Sequence, residues 1–375
     1  MSIPIVDPSR YDAQLEEKHQ RLIKQFSRFD VSTVEVFPSV PEHYRMRAEF
    51  RIWHSGDDLF YAMFKVDPDN PKQREVIRLD HYAVASQRIN ELMPQLREAL
   101  LKSDVLRHRI FQVEFLTTLQ GEALVTLIYH RPLDDVWEAE ARALEAALGV
   151  YIIGRSRKQR IVLTQDFVTE HLNVEGKIFH YQQVENSFTQ PNAVIAASML
   201  SWARSVTAPD PDEANANKPG RDLVELYCGN GHFSIALAEN FNRVLATEIS
   251  RTSVASAQHN LIENGVTNTI IARMSAEEFS RALSGEHRGR RASAWELDNY
   301  DFGTVLVDPP RAGLDENSCE ELTRYERIVY ISCNPDTLCR DLERMMPTHR
   351  VLRFALFDQF PYTHHCECGV LLEKR

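Results

Sequence analysis

The chain has 375 residues, 43% of them hydrophobic and 26% charged, with a formal net charge of −11. At roughly 100–200 residues per domain this length predicts two domains, and the composition excludes a disordered chain; no segment reaches the roughly 18 consecutive apolar residues of a membrane span. The acidic balance argues against a protein that coats nucleic acid by neutralising phosphates, so any nucleic-acid contact requires a focused patch.

The start, Met1-Ser2-Ile3-Pro4-Ile5, lacks the basic and long apolar regions of a secretory signal, which predicts a cytoplasmic location. Helical patterns follow over Glu16–Phe26, Ala83–Leu101, Trp137–Leu148 and Ala193–Val206. Between them, Arg45–Trp53, Leu59–Val66, Ile110–Leu116 and Ala123–Tyr129 alternate or are β-branched and aromatic, as strands are. This order predicts an α+β domain with an antiparallel sheet. Residues 208–220, polar and with three prolines, read as a linker or exposed loop.

Beyond the linker, strands and helices alternate. Short apolar runs at 223–226, 243–247, 269–272, 304–307, 327–332 and 350–357 suit strands buried on both faces. Helical stretches from about His232 and over Thr252–Asn264 separate some of them, which predicts a parallel, doubly wound α/β sheet. The last run, Cys368–Leu372, follows Pro361 too closely for a crossover helix, so it is expected to pair antiparallel at one edge. All six cysteines lie after residue 227, and without a secretory signal they read as reduced thiols.

Four motifs could carry chemistry. Glu225-Leu-Tyr-Cys-Gly229-Asn-Gly231-His232 joins a strand to a helix, where glycines admit close approach of a ligand to helix N–H groups. Glu248 ends the next strand and could accept both hydroxyls of a ribose; the lack of a third glycine favours a nucleoside cofactor such as S-adenosylmethionine over a dinucleotide. Val307-Asp308-Pro-Pro-Arg-Ala-Gly313 stiffens another strand exit and holds Asp308 outward. Cys333-Asn334-Pro335 puts a thiol beside a helix N-terminus, with Asn334 as cap and Pro335 at the first helical position, where the dipole is expected to favour the thiolate. Alternation puts Glu367 on the face opposite Cys366 and Cys368, a possible place for a general base. Crowding of His364, His365, Cys366 and Cys368 lacks the separated pairs of a zinc site, so no metal is expected.

Together with Tyr44–Trp53, Val184–Asn192 and Phe357–His365, these motifs resemble the RNA uracil-5-methyltransferases that use S-adenosyl-L-methionine, in particular those acting on the tRNA T loop. The resemblance implies a C-terminal Rossmann-like methyltransferase domain over 191–375 and an N-terminal α+β RNA-binding domain over 1–190. It implies that Gln190, Tyr227, Gly229, Gly231, His232, Glu248 and Asp308 hold the cofactor, that Cys333 is the nucleophile and that Glu367 is the base. His232 stands where the family has Asn, so only its backbone role carries over.

The substrate implied is uridine-54 in the T arm of tRNA, with other RNAs bearing a T-like loop as further partners. A flipped base needs stacking groups, for which Phe111, His130 and Phe188 are placed by analogy. Arg51, in a row with Arg45 and Arg47, and the run Arg155, Arg157, Lys158 and Arg160 are the basic candidates. A ribosomal-RNA relative with a four-cysteine iron–sulfur cluster is disfavoured, because no cysteine precedes Cys228. An amino-methyltransferase would not require Cys333 and Glu367, and a tRNA-folding chaperone is the reading of a different class.

Overall fold

The computed structural model describes residues 4–375 except 32, 67–69, 71–73, 210–220, 285–294 and 296. The expected linker at 208–220 thus lies almost wholly outside the described residues, and so does the Arg288–Arg291 loop. The chain forms two compact units. One is built mainly from Val40–His171 and Gln183–Ala193, the other from Arg10–Ser39, Leu172–Gln182 and Val194–Arg375. A single cut at 190/191 therefore does not follow the packing. The first helix, α1 (Tyr11–Phe26), buries Leu22 and Phe26 in the core of the second unit, and β1 (Glu35–Phe37) joins that unit's sheet.

In the first unit, strands β2 (Arg47–Ser55), β3 (Asp58–Val66), β4 (Arg74–Leu79), β5 (Ile110–Thr117), β6 (Ala123–Tyr129), β7 (Tyr151–Ser156) and β8 (Gln159–Val162) form a sheet of order β4-β3-β2-β5-β6-β7-β8. All neighbours are antiparallel except β6 and β7, which are parallel because the chain crosses between them through a helix. Helices α2 (Gln87–Lys102), α3 (Asp104–Arg107) and α4 (Asp135–Leu148) supply the core. Ile89, Leu92, Met93, Leu96 and Leu100 recur at helical spacing on α2 and are fully buried, while Trp137, Ala141 and Leu144 do the same for α4. Gly154 on β7 is required by this packing, since a Cβ there would lie 2.2 Å from the Trp137 ring. Strands β9 (Phe167–Val174) and β10 (Lys177–Val184) form a separate two-stranded ribbon.

The second unit continues with α5 (Ala193–Thr207), β11 (Asp222–Leu226), α6 (His232–Leu237), β12 (Val244–Thr247), α7 (Arg251–Glu263), β13 (Thr269–Ala272), α8 (Ala276–Leu283), β14 (Phe302–Val307), α9 (Glu316–Leu322), β15 (Arg327–Ser332), α10 (Pro335–Met345), β16 (His349–Phe357) and β17 (Glu367–Lys374). The eight strands lie in the order β1-β16-β17-β15-β14-β11-β12-β13. Strand order reverses between β11 and β14, which creates a crevice at their carboxyl ends. β17 is antiparallel, as expected, but it does not lie at an edge: it pairs with β15 on one side and β16 on the other, and β1 closes that end of the sheet. Six of its eight residues, Glu367–Leu372, are buried, as suits a strand flanked on both sides.

Candidate active site

Three strands deliver side chains to one level of the carboxyl edge. Leu226 pairs with Thr247 and with Val307, so the next residue of each strand, Tyr227, Glu248 and Asp308, emerges in a row. Tyr227 adopts a left-handed backbone with φ 66°, and Gly229 and Gly231 follow at φ 56° and 81°. This turn aims the Gly229 N–H at Glu248, whose Oε2 accepts it at 3.0 Å; Oε1 accepts the Ser250 N–H at 2.7 Å. The carboxylate is thereby fixed while keeping lone pairs for a ligand's hydroxyls. A Cβ on Gly229 would point into open space, which is room for a ligand against the backbone.

His232 opens α6, and its carbonyl accepts the Tyr181 hydroxyl at 2.8 Å. Its ring packs against Tyr181 and Phe233, burial holds the imidazole down at about 4, and Nε2 has no partner among the described residues. It is therefore a neutral ring at the glycine turn. Beneath the turn Glu225 is buried, bonded by the Ser234 hydroxyl, and pushed up to about 8 by desolvation and then by Asp308 and Glu248.

The Asp308 loop is gripped by α10. Asn334 Nδ2 and Thr337 Oγ1 donate to the Arg311 carbonyl at 3.1 and 3.4 Å, and Arg340 reaches the carbonyls of Ala312 and Leu314. Buried Asp341 accepts from the Leu314 N–H and the Tyr330 hydroxyl. Gly313, at φ 74°, is needed here: a Cβ would stand 2.7 Å from Asp341 Oδ2.

Cys333 follows β15, with Asn334 capping α10 through the Asp336 N–H at 3.1 Å and Pro335 in its first turn. The surroundings of the thiol oppose the thiolate expected at neutral pH. Burial pushes the Cys333 thiol up to about 11, the Glu367 and Asp308 carboxylates push the same way, and the opposing Arg311 does not outweigh them. Ser332 pairs with Cys368, so the antiparallel register carried one step further sets Cys333 against Glu367. Glu367 is 4% exposed, and desolvation together with Asp308 raises its carboxyl well above the ordinary range. Asp308 is raised as well, chiefly by burial. Arg311 closes the far side, donating to His365 Nδ1 at 3.0 Å.

Carboxylates thus line this edge from Glu225 and Glu248 to Asp308 and Glu367. The donor set fits S-adenosylmethionine: a positively charged sulfonium is favoured beside carboxylates, and a ribose diol matches Glu248. Sequence reasoning missed the parts played by Arg311, His365 and Asp341, because an Arg–His contact and a buried Asp arise only from the tertiary arrangement. Among the described residues no group of three His, Cys, Asp or Glu is placed to hold a metal ion.

The expected RNA-facing residues and Gln190 belong to the first unit, Gln190 in the loop after β10. Arg51 lies over the Phe111 ring at 3.6 Å, and His130 stacks on the same ring at 3.9 Å between centroids. Phe111 is therefore not core, but both its faces are covered, and the outer layers of the stack are Arg51 and the exposed His130. Phe188 is 72% exposed. The basic run is less bare than its sequence: Arg155 and Arg160 pair with Glu185, and Arg160 also with Asp166.

A doubly wound sheet with a glycine turn, an acidic second strand end and an Asp-Pro-Pro exit defines a Rossmann-like, S-adenosylmethionine-dependent methyltransferase. Residues 10–375 match the model of the tRNA (Uracil-5-)-methyltransferase family, and the chain belongs to that family. It is 68% identical, over its full length and 98% of the other, to the tRNA/tmRNA (uracil-C(5))-methyltransferase of Chromohalobacter salexigens. It is 54% identical over the full length of both chains to the enzyme of that name from Shewanella amazonensis. Among solved structures, the Pyrococcus abyssi tRNA (uracil-54, C5)-methyltransferase in complex with S-adenosyl-L-homocysteine shares the fold, with TM-score 0.68 and 22% identity over 96% of this chain and 83% of that one.

Proposed function

We propose that the enzyme methylates C5 of uridine-54 in the T loop of tRNA, with Cys333 as nucleophile and Glu367 as base. The observation that carries this reading is the placement of Cys333 against Glu367 across the β15–β17 register, beside the row of Tyr227, Glu248 and Asp308. C5 of uracil is a weak nucleophile. Addition of the Cys333 thiolate at C6 forms an S–C6 bond and moves the C5–C6 electron pair into an enolate, which makes C5 nucleophilic. S-adenosylmethionine, which Glu248, the Gly229–Gly231 turn, Tyr227 and Asp308 would hold, would supply the electrophilic methyl group. The Glu367 carboxylate then takes the C5 proton, the C5=C6 bond re-forms, and the S–C6 bond breaks to release the thiolate. Desolvation makes Glu367 a stronger base than an exposed carboxylate, and Arg311 partly offsets the carboxylates that oppose ionisation of Cys333.

The Arg51–Phe111–His130 stack supplies the aromatic and cationic surfaces that an unstacked loop requires, with Phe188 as a further exposed ring. The curated relatives carry tmRNA as well as tRNA in their names, which supports extending the proposal to other RNAs with a T-like loop. The test is digestion of tRNA to nucleosides after incubation with enzyme and labelled S-adenosylmethionine. Label in 5-methyluridine at position 54 is expected; its absence there sinks the reading.

A further inference from the structure

The polar face of α1 makes contacts that neither cofactor nor RNA binding requires. Gln14, Lys18, Arg21 and Gln25 recur at intervals of four, three and four residues, which places them on one stripe of the helix. Lys18 is 4% exposed, and its Nζ donates to Asp358 Oδ1 at 2.7 Å and to the Phe360 carbonyl at 2.8 Å. Gln14 donates to the other oxygen of Asp358 at 3.0 Å and accepts the Tyr362 N–H at 3.2 Å. Arg21 donates to the His364 carbonyl at 2.6 Å and reaches Cys366 Sγ at 2.9 Å. One stripe thus holds the segment between β16 and β17 at every second residue from Asp358 to Cys366, and the next residue is Glu367. At its far end Gln25 donates to Asp336 Oδ1 at 2.9 Å, three residues after Cys333.

We infer that α1 is a brace that sets Glu367 relative to Cys333, with Lys18 as its central positioning residue. A buried ion pair is a poor choice for stability alone, since apolar residues of similar volume commonly serve as well or better, but its directional bonds fix a geometry. The segment it holds needs such fixing, because it lies outside the strands and turns through Tyr362 at φ 60°. Proton removal from C5 demands closer placement of the carboxylate than thiolate addition does, so loosening the brace acts on the last step of the reaction. This inference rests on the proposed roles of Cys333 and Glu367.

The experiment is a single-turnover reaction of the full-length enzyme with tRNA and labelled S-adenosylmethionine, quenched to resolve the covalent enzyme–RNA adduct from released methylated tRNA. Lys18→Met is expected to leave formation of the labelled adduct within about threefold of wild type and to slow product release about tenfold or more, with KM for both substrates unchanged and partial rescue by Lys18→Arg. Arg21→Met, at an exposed position, is expected to slow release in the same direction but less, and it decides the matter should Lys18→Met fail to fold. Equal slowing of adduct formation and release, or release at the wild-type rate, overturns the brace. Methylation by Cys333→Ala, or normal release by Glu367→Gln, would instead overturn the underlying mechanism whatever Lys18 does.

Discussion

Cys333 faces Glu367 because Ser332 pairs with Cys368 in an antiparallel ladder, which brings the end of β15 level with the beginning of β17. The proposed nucleophile and base are thus set by strand register, and a slip of one residue would turn Glu367 to the other face of the sheet. The surroundings disfavour the ionised form of both groups: burial and carboxylates raise the thiol, and burial and Asp308 raise the acid.

A pH dependence follows with a definite sign. The Cys333 thiol ionises near 11, so its reactive fraction grows up to about tenfold per pH unit below that value, and ionisation of Glu367 changes in the same direction. The rate of covalent adduct formation is expected to climb between pH 7 and 9 in a rapid-quench assay. A flat profile across that range would show that the free thiol is not the form that must ionise.

Gly313→Ala is expected to damage activity from a distance. The new Cβ would meet Asp341 and Arg340 in a left-handed backbone, displacing the loop that carries Asp308. The backbone term alone costs about 1 kcal/mol, and the clash adds to it. A fall in Tm with a larger fall in kcat is the outcome to look for.

Glu248→Gln replaces a carboxylate that accepts two backbone N–H groups with an amide that can accept only one of them. S-adenosylmethionine binding, followed by calorimetry, is expected to weaken about 10- to 100-fold, or roughly 1.4–2.8 kcal/mol. Affinity for tRNA should stay as it was; equal loss of both would indicate a collapsed turn.

Phe111→Ala removes the middle layer from between Arg51 and His130. With about 1 kcal/mol for each lost ring contact, KM for tRNA is expected to rise at least about fivefold while cofactor binding is unchanged. Steady-state kinetics with tRNA as the varied substrate checks this.

Glu170 gives a stability prediction in the first unit. It is 1% exposed, accepts the Leu119 N–H at 3.1 Å, and is pushed up to about 7 by burial. A carboxyl raised in the folded state stabilises it fully below the unfolded value near 4.5 and loses that contribution as pH rises through 7. Thermal melts should show Tm falling from pH 5 to pH 8, and Glu170→Gln should remove roughly 3 kcal/mol of that dependence.

Much of this site is legible in the sequence because it stands at strand exits. Tyr227, Glu248, Asp308 and Cys333 each follow a short apolar run, and the turn residues beside them, Gly229, Gly231, Pro309 and Asn334, announce the ends of those runs. Ala123–Tyr129, buried at all but Ile128, and the six buried residues Glu367–Leu372 are likewise evident as strands. What the pattern does not reveal is partnership. β1 is three residues long with no period to detect, and its place depends on pairing Glu35 with Ala355, more than 300 residues away. The position of β17 depends on both its neighbours, and the state of the Cys333 thiol on carboxylates from two other strands. A helix terminus read locally favours a thiolate; desolvation, which sequence does not display, opposes it.

The place of β17 has a consequence for synthesis. It is made after β15 and β16 and lies between them, so those two strands emerge from the ribosome with facing edges that nothing yet joins. The gap is filled only when the run Glu367–Lys374 arrives, and the same eight residues carry the proposed base. With Glu367 as the proposed base, completion of the sheet and acquisition of catalytic competence are one event, so a nascent chain whose sheet is still open is expected not to complete a turnover.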